Sequence, residues 1–275
     1  MLARLFKYDF KSMTKLVFPL TALVGIISIL AAVALKIVMF HSDIANGALS
    51  LICGFFLVIS VIALFAYSVI VWGIAIFRFY NNLYTDEGYL TFTLPVKPVM
   101  ILTSKLLSAL CCMAISGCVL VAAAFIILCF GTGEEFFNTA WLENFFSIFK
   151  EYFSEFESEG AISILMFVLS MVVSVIGNFC TIFLAVTLGA IISKKHKVLV
   201  AIAAYYAINT VVSIITGVVN VLLTAVGVTV YSEEVTSAIS VFGSTMSVNV
   251  VVSLCISAIC FFLCSHLMKN KLNLP

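Results

Sequence analysis

Six stretches of this chain are apolar for eighteen residues or more, and that alone removes most folds from consideration. They run from Val17 to Met39, Leu49 to Phe77, Leu106 to Phe130, Ala161 to Ile192, Val198 to about Val230, and about Val241 to Met268. Each can cross a hydrocarbon core of about 30 Å as a helix. Inside a membrane every backbone polar group must find a partner within the protein, so only helices or a closed barrel are viable. Barrel strands alternate apolar and polar residues; these runs do not. The chain therefore reads as all-α and polytopic, a single transmembrane domain over residues 1–275. Only 10% of its residues are charged and its mean hydropathy is +1.25, whereas soluble domains carry about a quarter charged residues. Spans two, four and five exceed what a bilayer needs, so they must tilt, kink or project. Pro19 is expected in the first turn of its span, where proline is tolerated. Gly217, Asn220 and Gly227 mark where the fifth span would break, near the outer face.

Charge sets the orientation, because Lys and Arg favour the cytoplasmic side of short loops. Arg4, Lys7, Lys11 and Lys15 precede the first span. Arg78, Lys97 and Lys105 lie between spans two and three, Lys194, Lys195 and Lys197 between four and five, and Lys269 and Lys271 after the sixth. Most acids fall in the other loops, chiefly Glu134 to Glu159 and Glu233–Glu234. Six spans with both termini cytoplasmic satisfy this pattern.

Two segments outside the spans are amphipathic. In residues 1–16, Leu2, Leu5, Phe6, Phe10, Met13 and Leu16 share one helical stripe, and Arg4, Lys7, Lys11 and Lys15 form a separate face. Such a helix lies in the membrane interface, with its cations toward anionic headgroups. In residues 131–160, Trp141, Phe145, Ile148, Phe149, Tyr152 and Phe156 form one stripe of a helix. That predicts an acidic, aromatic extracytoplasmic segment, read foremost as a belt at the membrane surface. The opening MLARLFKYDFKSMTKL is not expected to be a signal peptide, since no small-residue cleavage site follows a short apolar core.

Catalytic signatures are missing from the sequence. There is no GxSxG or HExxH, and His41, His196 and His266 lie far apart. The nine cysteines fall in apolar runs without a CxxC pair and read as small hydrophobes, so no metal site is expected. The spans carry no Asp, Glu, Arg or His near their centres, where coupled carriers keep groups that bind or titrate. Neutral residues remain: Ser60, Ser116, Ser170, Ser174, Asn178, Asn209, Asn220 and Asn249. They read first as contacts between helices, with Asn178 and Asn209 the best candidates for a polar spot on a pathway. No phosphate-binding GxxxxGK[ST] loop is present, so ATP would have to be hydrolysed by a partner. No nucleic-acid partner is expected.

The segment RFYNNLYTDEGYLTFTLPVKPVMILTSK, residues 78–105, interrupts this apolar background. Asp86 and Gly88 suit a turn, and Pro95 and Pro98 forbid a continuous helix. A solvated loop has no need of Phe79, Tyr80, Leu83, Tyr84, Tyr89, Leu90 and Phe92; these fit a surface that docks on something.

The layout resembles the ABC-2 type transporter permease family, with a basic surface helix, six spans and a cytoplasmic loop after the second. Asp86, Glu87 and Gly88 match that family's acid-Gly element, Pro95 its proline and Lys105 the lysine before span three. The resemblance implies that residues 78–105 form a coupling loop. Tyr84, Asp86, Glu87, Gly88, Tyr89 and Leu90 would then contact an ATP-binding cassette ATPase subunit. Arg4, Phe6, Lys7, Phe10 and Lys11 would belong to the elbow helix. It also implies a second permease subunit, a copy or a relative, and ATP with Mg used only by the partner. The chain departs from the family in its long, acidic segment after span three.

The expected function is thus a non-enzymatic permease subunit of an exporter in a bacterial cytoplasmic membrane. The acidic, aromatic outer surface leans toward a cationic amphiphile, such as an antimicrobial peptide, as substrate. A membrane sensor or scaffold binding a peptide through that segment is the alternative, with a secondary carrier or a channel behind it.

Overall fold

A computed structural model describes residues 2–40, 47–85, 97–132, 147, 158–193, 196–230 and 238–270. Six long helices account for nearly all of them. They are α1 (Leu2–Phe40), α2 (Gly47–Tyr84), α3 (Pro98–Thr132), α4 (Ser158–Ile192), α5 (Lys197–Val230) and α6 (Ala238–Asn270). All six are long and apolar enough to cross a membrane. The chain is an all-helical, multi-pass membrane protein.

The shortest helix, α6, has 33 residues and the longest, α1, has 39. At a rise of 1.5 Å per residue they measure about 50 to 58 Å, well beyond a core of about 30 Å. One or more turns of every helix must therefore leave the hydrocarbon, unless the helix is steeply tilted.

Two expectations about helix breaks are corrected. Pro19 does not sit in a first turn: α1 runs through it without interruption from Leu2. Proline here deletes one backbone bond, to the Lys15 carbonyl. Both residues are exposed, so the freed oxygen is not buried without a partner. α5 is likewise unbroken through Gly217, Asn220 and Gly227. The Asn220 amide donates to the Thr216 carbonyl at 2.9 Å, one turn back, and to Asn249 Oδ1 of α6 at 3.1 Å. One bond thus stays within the turn, where the helix remains continuous, and the other ties α5 to α6.

The chain divides into two compact units, residues 1–78 with 107–149, and residues 79–106 with 150–275. Two of the boundaries, after Arg78 and after Leu106, fall inside α2 and α3, which remain helical across them. In the first unit, Val17 and Val24 of α1 pack with Tyr67 and Val71 of α2 and Ala123 of α3. A Cβ at Gly131 of α3 would collide with the Leu35 side chain of α1, a close approach of the kind small residues permit between membrane helices. At the opposite end of α1, Arg78 donates a hydrogen bond from Nη2 to the Ser12 carbonyl at 3.3 Å. The start of α1 is therefore tied to the last turns of α2.

The serines expected to join helices mostly do not. Ser60, Ser116, Ser170 and Ser174 donate to carbonyls three residues back in their own helices, at 2.7 to 2.9 Å. Such internal bonds satisfy the hydroxyl where no water is at hand.

In the second unit, α4 packs against both α5 and α6, while α5 and α6 touch sparingly. Residues 179–187 of α4 are buried without exception, as expected of a helix apolar all round. Ser193 Oγ accepts from the His196 backbone N–H at 3.0 Å, and the His196 carbonyl in turn accepts from the Val200 N–H at the start of α5.

Candidate functional site at the ends of α2 and α4

The last two turns of α2 belong to the second unit and are anchored there. Phe79, Leu83 and Tyr84 are buried; Leu83 and Tyr84 follow Phe79 by four and five residues, about one turn along the same side. Phe79 stacks on Phe183 of α4, with ring centroids 3.8 Å apart and planes 7° from parallel. Tyr84 meets Phe79 edge-on at 5.9 Å.

A hydroxyl network closes the contact. Thr187 Oγ1 lies 2.7 Å from the Phe183 carbonyl, 2.7 Å from Tyr84 Oη and 3.2 Å from Cys264 Sγ of α6. Threonine has one hydroxyl hydrogen and two lone pairs. The carbonyl can only accept, so that hydrogen goes to Phe183. Tyr84 then donates to Thr187, and the Cys264 thiol supplies a second, weaker donor. Three helix ends meet at one oxygen.

The C-terminus of α2 is also capped. Lys197 of α5 donates from Nζ to the Tyr84 carbonyl at 3.3 Å, and the Thr85 hydroxyl donates to the Asn81 carbonyl. Both satisfy carbonyls that a helix end leaves unpaired, and the lysine charge complements the helix dipole there. Across the gap of residues 86–96, α3 starts with the Met100 N–H donating to the Lys97 carbonyl at 2.9 Å. Ile101, Leu102 and Lys105 follow, all buried, and Lys105 is engaged by a partner. The stretch between Tyr84 and Lys97 thus joins a packed α2 end to an α3 that becomes buried from Ile101 onward.

Breaking this network yields a defined signature. Thr187→Val keeps the shape but leaves the buried Tyr84 hydroxyl without its acceptor, a loss of about 1–3 kcal/mol; Tyr84→Phe, which removes the donor itself, costs about 1 kcal/mol. The double variant is expected to be more stable than the sum of the two losses by about 1 kcal/mol. Thermal unfolding of the four proteins in one detergent measures this coupling; strict additivity refutes the network.

The sequence-derived candidates fare unevenly. Tyr84 is at the centre of the site. Asp86, Glu87, Gly88, Tyr89, Leu90 and Pro95 lie outside the described residues, as does the aromatic stripe Trp141–Phe156. Arg4, Lys7 and Lys11 are exposed on α1, while Phe6 and Phe10 are half-buried and stacked at 5.6 Å. Asn178 is exposed, and its Oδ1 accepts from Tyr205 of α5 at 3.3 Å. Asn209 is half-buried one turn beyond Tyr205, and the Asn178 bond goes to Tyr205 rather than to Asn209. Thr187, Phe183 and Cys264 were not singled out by sequence. A lone threonine in an apolar run carries no signal that its partner is 103 residues away.

In comparisons with known proteins, no family model, no curated protein and no solved structure matches this chain.

Proposed function

We propose that this chain is the permease subunit of an exporter, driven by a separate ATP-binding cassette ATPase that docks on residues 86–90, with the expected contact Tyr84 buried beneath them as an anchor. The observation that carries this reading is the double anchorage of the loop. Residues 86–96 spring from an α2 end locked by Phe79, Tyr84 and Lys197, and lead into α3, whose buried residues begin one turn in with Ile101 and Leu102. A loop rooted in this way passes a push to packed helices instead of yielding to it. The sequence offers the matching need, since a chain without a phosphate-binding loop must receive its energy from outside.

In this reading both termini and the 78–105 loop face the cytoplasm of a bacterium. Residues 2–16 are then the cytoplasmic end of α1, continuous with its span instead of a separate elbow helix, and carry Arg4, Lys7, Lys11 and Lys15 exposed toward the headgroups. The ATPase uses ATP and Mg, and a second permease subunit completes the transporter. The substrate is an amphiphile, with cationic peptides the first class to try.

A photo-crosslinker at Leu90 in native membranes is expected to capture an ATP-binding protein. Glu87→Arg and Gly88→Pro are expected to weaken co-purification of that protein about ten-fold, which is roughly 1.4 kcal/mol. Capture of no nucleotide-binding protein, or unchanged co-purification of both variants, overturns the assignment. Topology has its own measurement. In a cysteine-free background, Glu155→Cys is expected to label from outside and His196→Cys from inside; labelling of both from one side refutes it.

A further inference from the structure

α5 and α6 do not close against each other along their whole length. Between them, floored by Leu184 of α4, runs a groove of about 380 Å³. Ala207, Val211 and Ile215 line it from α5, and Ile256, Ile259 and Leu263 from α6; every lining side chain is apolar or a thiol. Beyond its deep end the two helices are tied by the Asn220–Asn249 bond.

The groove continues into charge. Ile259 and Leu263 also border a shallow recess along α6 that includes Ser265, His266 and Lys269. Ile256, Ile259, Leu263, His266 and Lys269 follow at steps of three and four, so one face of α6 carries the apolar wall and then the cation. Lys269 is exposed and is the last residue of the α6 membrane span, the level at which headgroups lie. From Lys269 down to Ile256 the helix descends about 20 Å at 1.5 Å per residue. Half of a core of about 30 Å is about 15 Å, so the groove reaches as deep as one lipid leaflet.

We propose that this face binds one anionic phospholipid, an acyl chain in the groove and the phosphate beside Lys269, with His266 and Ser265 at its edge. Water has nothing to bond to between these walls; any acyl chain can fill the groove, and the cation in register above it adds a preference for an anionic head. A lysine held at the membrane surface beside the groove favours an anionic headgroup over a zwitterionic one.

Native mass spectrometry of the full chain, offered equal amounts of phosphatidylglycerol and phosphatidylcholine with identical acyl chains, tests this. The wild type is expected to retain phosphatidylglycerol about five-fold more often. Lys269→Glu, on an exposed side chain, is expected to abolish the preference while leaving some retention of both lipids. Ala207→Trp, or Val211→Phe should the first not fold, is expected to lower retention of both. Equal retention of the two lipids by the wild type overturns the proposal. So does a preference that survives Lys269→Glu, or phosphatidylglycerol retention unchanged in a folded groove-filling variant.

Discussion

Phe79→Ala is expected to lower the stability of the protein by about 3 kcal/mol, the low end of the range for emptying a buried aromatic site. Phe79 is 1% exposed and Phe183 is 2% exposed, so their stacked rings cannot be rehydrated when one is removed. The low end applies because lipid tails are as apolar as the protein interior. The transfer part of the usual penalty largely vanishes in a bilayer, and the lost packing remains. The near-parallel geometry at 3.8 Å is not the offset or edge-on arrangement that ring quadrupoles favour. The pair therefore contributes through close packing, and Phe79→Leu is expected to recover a good part of the loss. Phe77, two residues earlier and 58% exposed, provides the contrast: Phe77→Ala is expected to change little. Thermal unfolding in a common detergent distinguishes these outcomes. A loss at Phe77 as large as that at Phe79 would remove the anchorage from the argument.

Gly189→Ala is expected to be comparably damaging for the opposite reason. α4 and α5 pack against each other, and Gly189 of α4 lies tight against the first turn of α5. A Cβ there would stand 2.7 Å from the Ala201 nitrogen, 2.7 Å from the Lys197 oxygen and 2.7 Å from the Ala201 Cβ. The first two are backbone atoms of a regular helix, which cannot swing aside as a side-chain tip can. Forcing the helices apart is expected to cost about 3 kcal/mol, the upper end for overpacking, and to loosen the Lys197 bond to Tyr84. Gly217→Ala adds the same methyl where nothing lies within 4 Å; it is expected to be neutral or stabilising, since alanine favours helix by up to about 1 kcal/mol over glycine. Recovery of monodisperse protein and its unfolding temperature measure both. Equal behaviour of the two variants would refute the close approach.

The six membrane-crossing helices were legible because an apolar run of the right length has one stable solution in lipid. Their ends were less so. The apolar count stops α2 at Phe77, yet the helix continues to Tyr84, because Arg78 finds the Ser12 carbonyl and Phe79, Leu83 and Tyr84 find a core. The basic segment before Val17 read as a separate helix, whereas Leu2–Phe40 is continuous; composition changes at that point but backbone propensity does not. The break expected around Asn220 is absent because a partner 29 residues away takes its amide. Tyr84 was singled out as part of a docking surface, while the oxygen that fixes it belongs to Thr187. Side-chain pairing between distant helices follows from how they pack, and local periodicity holds no record of it.

The two cations that tie α2 to its neighbours, Arg78 and Lys197, both end on main-chain oxygens. A main-chain oxygen is present whatever the residue. Natural variation is therefore free to rewrite positions 12 and 84 as far as these two bonds are concerned, while the donors must keep their length and charge. Position 84 is held separately, by the phenol that Thr187 receives. Position 12 has no such second constraint, so descendants of this chain should drift there without any compensating change at 78. Methods that find neighbours through paired substitutions would pass over this contact.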